Sequence, residues 1–305
     1  MSHPVVLVLG AAGFIGRHLV RRLANDGWTV LAATRQPCAF DHPHIENVVA
    51  SFVEAATFTP LLSRCCAVVH AASSTTPGSS TATPQLDGNL RTTLALLEAL
   101  QDAVHCRLLY LSSAGTLYGD RATPAVETDP LRPRSYHGAG KAAAEQFLQA
   151  WVAQYDGTAV VLRPSNVYGP GQAARQGFAI VPTAMDCAAS GRPLQIWGDG
   201  GQVRDYLYVD DLVKLCVDAL QVPLAPGYHV YNAASGQGVA LNQLLAMIEQ
   251  ASGCAVVRQH LASRVADLRQ VLLDPQAAGH AFGWKATTPL ASGLARTWQW
   301  HQGQA

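Results

Sequence analysis

Short β-branched and apolar runs alternate with amphipathic stretches through the first half of the chain. Val5 to Leu9 is a continuous apolar run that stops at Gly10, the pattern of a strand buried on both faces. Ile15 to Ala24 then carries Leu19, Val20 and Leu23 at helical spacing. Thr29–Ala33, Ala67–His70, Leu108–Leu111 and Ala159–Leu162 are further strand-like runs, with helical stretches at Leu90–Leu100 and Lys141–Gln154 between them. Strand and helix in alternation predict an α/β fold, a doubly wound parallel sheet of Rossmann type. After Gly169 the alternation weakens and Pro and Gly become interspersed. Only Leu241–Gln250 and Leu290–Trp300 read there as amphipathic helices, and no internal repeat is visible. A dinucleotide-binding domain is therefore expected over 1–168, with the chain returning to it around 201–232. A smaller α/β substrate-binding region is expected from 169–200 and 233–305.

Composition narrows the function. Apolar residues make up 49% of the 305 and charged residues 14%, which excludes intrinsic disorder. Lys+Arg and Asp+Glu both total 21, so no basic footprint for nucleic acid or a membrane surface is present. The seven cysteines have no regular spacing and form no C-x-x-C, so no disulfide framework and no metal site are expected. Free thiols, no signal-peptide pattern at the start and no apolar stretch of about 18 residues together predict a cytoplasmic protein without a membrane span.

Candidate chemistry begins at Gly10-Ala11-Ala12-Gly13-Phe14-Ile15-Gly16, between the first strand and the first helix. Glycines there permit a tight turn and close approach of backbone to a pyrophosphate, and a helix N-terminus offers N–H groups to the phosphates. The small polar run Ser73–Ser80 comes after the end of a strand, where open α/β sheets bind ligands.

The G-x-x-G-x-x-G spacing resembles that of the extended short-chain dehydrogenase/reductases, the NAD-dependent epimerase/dehydratase family, and in particular its UDP-hexose 4-epimerases. His70-Ala71-Ala72, Asn89 with Thr93, Ser112-Ser113 with Tyr118-Gly119, and Arg163-Pro164-Ser165-Asn166-Val167-Tyr168-Gly169-Pro170 are similar to further motifs of that family. So are Gly198-Asp199-Gly200, Arg204-Asp205-Tyr206, Val209-Asp210-Asp211, the pair Arg264 and Asp267, and Gly283-Trp284 with Trp298, so the resemblance covers nearly the whole chain.

The resemblance implies a nucleotide-sugar epimerase acting at the 4-position of a UDP-hexose or UDP-N-acetylhexosamine through a transient 4-keto sugar. Its alternatives are a nucleotide-sugar 4-keto reductase or dehydrogenase, or a weakly catalytic dinucleotide-binding regulator. It also implies a homodimer through the helices at 90–100 and 141–154. The cofactor is NAD or NADP. Thr34 and Arg35 stand where an acidic residue would bond the adenosine ribose, and a cation there accepts a 2′-phosphate. Ser51 and Phe52 stand where the family often has an aspartate and an apolar residue at the adenine edge. Ala71, Ala72 and Asn89 complete the implied cofactor contacts.

The family sets its catalytic tyrosine four residues before a lysine, one above the other on a helix face. Here His137 is four residues before Lys141 and Tyr136 is five, which on a regular helix turns it ~140° away. Either His137 takes the tyrosine's place, or a bulge restores Tyr136, or the site is catalytically impaired. Ser113 and Thr116 are the candidate hydroxyl partners. On the substrate side the resemblance implies Ser73, Asn166, Arg204, Arg264 and Asp267, with Val181 and Gln195 to Trp197 at the nucleobase. Counting back from Gly283-Trp284 puts Val271 near the sugar 2-substituent, where a small residue leaves room for an acetamido group. Asp210 and Asp211 are expected to cap a helix.

Overall fold

The computed structural model describes residues 3–76, 78, 81–174, 179–263 and 268–304. The chain forms two compact units. The first takes residues 1–113, 136–163 and 213–231, and the second takes 114–135, 164–212 and 232–305.

The first unit contains β1 (Val5–Leu9), α1 (Phe14–Asn25), β2 (Thr29–Thr34), β3 (Ile45–Val49), α2 (Ala55–Leu62), β4 (Ala67–His70), α3 (Arg91–Leu100) and β5 (Arg107–Leu111). A short helix, α4 (Ala114–Leu117), opens the first stretch of the second unit. The chain then gives α5 (Tyr136–Tyr155) and β6 (Thr158–Pro164). The second unit continues with β7 (Asn166–Tyr168), α6 (Ile180–Ser190), β8 (Leu194–Trp197) and β9 (Val203–Tyr208). After α7 (Val209–Gln221) and β10 (Gly227–Ala233) come β11 (Gly238–Ala240), α8 (Leu241–Ser252), β12 (Arg258–Leu261), β13 (Gln270–Val271), α9 (Gln276–Phe282) and α10 (Leu290–Gln302).

The α/β expectation holds. Seven strands form one sheet in the order β10-β6-β5-β4-β1-β2-β3. Pairing is parallel between β1 and β2, β1 and β4, β2 and β3, β4 and β5, and β5 and β6. The central strands are apolar throughout because helices cover both faces. Leu7, Leu31, Val68, Leu96, Leu100, Leu108, Tyr110, Leu148 and Trp151 join one buried cluster. Each such aliphatic side chain contributes ~1.5–3 kcal/mol on burial. Strand order reverses between β1 and β4, so their carboxyl ends open a crevice, the ligand position of this architecture.

In the second unit β9 pairs with β11, β13 and β7, and β8 pairs with β12. Its core joins Tyr168, Met185, Ile196, Tyr208, Leu244, Ile248, Leu294 and Trp298. Asp211 lies in the first turn of α7, but its carboxylate accepts from the Thr287 and Thr288 backbones and the Thr287 hydroxyl. It tethers the segment before α10 instead of capping its own helix. No helix among the described residues is long and apolar enough to cross a membrane.

Candidate active site

The glycine segment sits at the carboxyl end of β1. Gly10 has φ +83°, a conformation that favours glycine, and a Cβ there would meet the Ala72 backbone at 2.8 Å. A Cβ on Gly16 would fall 2.1 Å from the Gly10 carbonyl oxygen. These two positions let the loop after β1 press against both the loop after β4 and the start of α1. Gly13 is the N-cap of α1, is exposed and provides no side-chain cap, and the first turn has no acidic residue. The leading N–H groups of α1 have no intrahelical acceptor, so they face outward with the positive end of the helix dipole. An uncapped, glycine-lined helix start of this kind fits the pyrophosphate of a dinucleotide. Phe14 and Ile15 beside it are half-buried.

The other expected cofactor residues are distributed around the same sheet edge. Thr34 ends β2, and its buried hydroxyl has no partner among the described residues. Arg35 comes directly after it and is exposed. Ser51 is exposed, while Phe52 packs in the core with its ring 5.5 Å from that of Phe58. Ala71 and Ala72 are half-buried behind β4. Asn89 is 1% exposed. Its amide nitrogen donates to Thr75 Oγ1 and Gln85 Oε1 at 2.8 and 2.7 Å, and its oxygen accepts from Ser73 at 2.8 Å.

Helix α5 begins at Tyr136 as a regular α-helix, with no bulge before Lys141. Tyr136 is 50% exposed, whereas His137 is 6% and Lys141 4% exposed. Helical geometry thus places His137 and Lys141 on one buried face, with Glu145 a turn further on. Lys141 Nζ donates to the Leu111 carbonyl at 2.8 Å and lies 4.7 Å from the centre of the Tyr110 ring. Burial pushes the Lys141 ammonium down to about 8, against the opposing pull of the Glu145 carboxylate. Burial and then the Lys141 charge push His137 down to about 4, so it is neutral at pH 7.

Below Lys141, the Glu145 carboxylate pairs with Arg163 at 2.6 Å, both nearly fully buried. It also accepts from Ser112 and, at 3.3 Å, from Tyr228. Ser112 is thereby turned inward. Ser113 is half-buried at the end of the first chain segment of this unit, and Thr116 is half-buried in α4 of the second unit.

The substrate candidates among the described residues lie in the second unit, apart from Ser73. Ser73 is exposed after β4. Asn166 opens β7 and donates to the Asp205 carbonyl at 2.8 Å. Arg204 donates to the Val203 and Leu268 carbonyls, both at 2.8 Å. Asp205 accepts from Ser235 and Gln237. Val181 is buried in the core of α6, and Trp197 is half-buried at the end of β8. Val271 is buried on β13, in register with Arg204. Arg264 and Asp267 lie outside the described residues.

Sequence reasoning missed Thr75, Gln85 and Glu145. The available signal was Gly140 between His137 and Lys141, since a glycine on the helix turn that this spacing implies marks a close approach. A Cβ there would meet Gln85 Oε1 at 3.0 Å and Asn89 Nδ2 at 3.3 Å.

Known proteins share this fold. The sequence is 33% identical over 308 residues to the UDP-glucose 4-epimerase of Mycolicibacterium smegmatis, covering 95% of this chain and 96% of that one. The fold matches the Thermus thermophilus UDP-glucose 4-epimerase, solved with NAD, with TM-score 0.88, 29% identity and coverage of 99% and 100%. It matches the UDP-N-acetylglucosamine 4-epimerase of Methanobrevibacter ruminantium with TM-score 0.91, 25% identity and full coverage of both chains. The profile of the NAD dependent epimerase/dehydratase family matches residues 6–234. An uncapped glycine loop at the switch point and a buried lysine at the carboxyl end of β5 thus lie on a chain that belongs to the NAD dependent epimerase/dehydratase family.

Proposed function

We propose that this protein interconverts the C4 epimers of a UDP-sugar, with His137 as the acid/base. The observation that carries this reading is a neutral, buried imidazole one helical turn before a buried lysine. A bound nicotinamide dinucleotide supplies a hydride acceptor and donor. The imidazole takes the C4 hydroxyl proton as the hydride leaves C4, and the 4-keto sugar forms. After the 4-keto sugar turns, the imidazolium gives its proton back to the C4 oxygen, and the hydride that a bound dinucleotide would supply closes the opposite face of C4. The Lys141 ammonium, held by the Leu111 carbonyl, supplies the positive field that steadies the oxygen losing its proton. Ser113 and Thr116 are the proposed hydroxyl partners for that oxygen. The glycine loop with Ala71, Ala72 and Asn89 is the proposed dinucleotide cradle. Asn166, Val181, Trp197, Arg204, Arg264 and Asp267 are the proposed contacts of the nucleotide, and Val271 is the proposed wall near the sugar 2-substituent. Phe147 on α5 and Leu86 ahead of α3 are large exposed apolar side chains, which supports a homodimer through these helices.

The test is direct. Purified protein, with dinucleotide supplied, is incubated with UDP-glucose and with UDP-N-acetylglucosamine and monitored by proton NMR. The C4 epimer should accumulate to equilibrium, the N-acetyl sugar being accepted at least as well as the plain hexose. Dinucleotide binding with no epimer from any UDP-sugar would replace this reading with that of a reductase or a dinucleotide-binding regulator.

The choice between NAD and NADP falls to Arg35. An exposed guanidinium beside the adenosine ribose recognises a 2′-phosphate through charge-assisted hydrogen bonds. Arg35→Ala should weaken NADP about tenfold or more, as expected for a lost charged hydrogen bond, and leave NAD nearly unchanged. Equal losses in titrations with both dinucleotides would remove Arg35 from the ribose and NADP with it.

A further inference from the structure

His137 belongs to a polar cluster built from residues of a loop and a helix start. Its Nδ1 lies 2.9 Å from Thr75 Oγ1. That same hydroxyl is 2.9 Å from Gln85 Oε1 and 2.8 Å from Asn89 Nδ2, and the two amides meet at 2.7 Å. Ser73 Oγ closes the chain on Asn89 Oδ1 at 2.8 Å. Thr75, Gln85, Asn89 and His137 are each more than nine-tenths buried. Gln85 caps the start of a π-helical turn over Leu86–Leu90 and Asn89 lies within it, a conformation often found at functional sites. Burial makes every proton position matter, because an unpaired buried polar group costs ~1–3 kcal/mol.

Counting protons fixes the imidazole. The Thr75 hydroxyl has one proton, and the Gln85 oxygen only accepts. Their 2.9 Å contact therefore takes the hydroxyl proton. Asn89 gives one amide proton to Thr75 and the other to Gln85. The remaining contact of Thr75, to His137 Nδ1, forms only if the imidazole donates. Turning over both amides gives the same answer: Thr75 then donates to the Asn89 oxygen, accepts from the Gln85 nitrogen and still accepts from His137. Turning over one amide alone sets two donors or two acceptors face to face at 2.7 Å. In neutral imidazole one nitrogen holds the proton and the other the lone pair.

We propose that Thr75, anchored by Gln85 and Asn89, is a positioning residue that locks His137 in the Nδ1–H tautomer and so makes Nε2 the proton-accepting atom of the site. The tautomer is set by the cluster itself; its effect on turnover rests on the acid/base reading of His137. Gly140 is part of the device, since without a side chain there both amides lie against α5.

The experiment uses the full chain labelled with nitrogen-15 in histidine. The His137 ring signals, assigned by their loss in His137→Gln, should show a protonated Nδ1 and a bare Nε2 at pH 7. Thr75→Val keeps the shape and removes the acceptor. It should shift the population toward Nε2–H and lower kcat ~10²-fold, with KM changed less than about twofold. Thr75→Ser should restore both. An Nε2–H signature in the unsubstituted protein, or an unchanged tautomer in Thr75→Val, overturns the proposal. The first of these needs no variant to fold. A changed tautomer with unchanged turnover upholds the role of Thr75 and overturns His137 as the acid/base.

Discussion

His137→Phe is expected to lower kcat for epimerisation by ~10²–10⁴-fold, the range of a general acid/base, while dinucleotide affinity stays within about twofold. Phenylalanine fills the space of the imidazole but offers no lone pair. Tyr136→Phe should change kcat less than about twofold, because Tyr136 is half-exposed at the first turn of α5. Steady-state kinetics on both variants decide the matter, and the reverse ranking would return the role to Tyr136. The pH dependence has a defined sign. His137 is depressed from 6.5 to about 4 in the folded state, so it needs no deprotonation at pH 5–7 and kcat should not fall there through this group. Stability behaves differently. Between about 4 and 6.5 the unfolded chain binds a proton that the folded chain refuses, so stability falls as pH falls through that window. His70, buried against Thr93 and Tyr110 and depressed to about 3, extends the loss further downward. Thermal unfolding midpoints measured from pH 7 to pH 4 should decline accordingly.

Gly13→Asp is expected to abolish dinucleotide binding and leave the protein folded. The two effects have separate causes. Gly13 has φ −73° and ψ 171°, the extended backbone of an N-cap, which aspartate adopts readily. An aspartate there caps α1 better than glycine by a few tenths of a kcal/mol and complements the helix dipole. Its Cβ would come to 3.1 Å from the Gly10 oxygen, a tight contact that offsets part of the gain. The carboxylate, however, satisfies the N–H groups proposed for the pyrophosphate and repels a second anion. Fluorescence titration should show affinity reduced at least ~10²-fold, with the unfolding midpoint moved by only a few degrees. Unchanged affinity would remove the glycine loop from the dinucleotide site. A collapse of stability would show that the glycine serves packing alone.

Much of the first unit was legible in the sequence because its central strands are buried on both faces, whereas the half-exposed edge strands β3 and β10 gave no apolar run. Val5–Leu9 and Ala67–His70 are bounded as the apolar runs predict, and the expected strands at Thr29, Leu108 and Ala159 shift by at most two residues at either end. Helix α5 starts five residues earlier than the apolar pattern, because Tyr136, His137 and the two glycines gave no helical periodicity. The site was legible where the chemistry is local: the glycine loop, and the spacing of His137 to Lys141. It was not legible where polar groups meet across the chain. Thr75 lies in a run of small polar residues that reads as a loop at a ligand-binding strand end, and its burial against residues 10, 14 and 62 positions away has no signal there. Arg204 reads as a phosphate ligand, and nothing in the sequence signals that its guanidinium also holds two carbonyls, one of them 64 residues further along the chain. Pairing of this kind depends on tertiary proximity, which neither propensity nor periodicity encodes.

The buried carboxylate of Glu145 bears on the order in which the chain can fold during synthesis. Its partners come from all three chain segments of the first unit: Ser112 from the first, Arg163 from the second and Tyr228 from the third. A buried charge that lacks its partners costs several kcal/mol, so a nascent chain ending near residue 165 has the ion pair but not the Tyr228 hydroxyl or the edge strand β10. The first unit is therefore expected not to complete its sheet as an N-terminal module ahead of the second unit. Its last segment ends at residue 231, after both intervening segments of the other unit, 114–135 and 164–212, have been made. For the same reason an excised fragment such as 1–168 lacks the pieces that complete its own sheet.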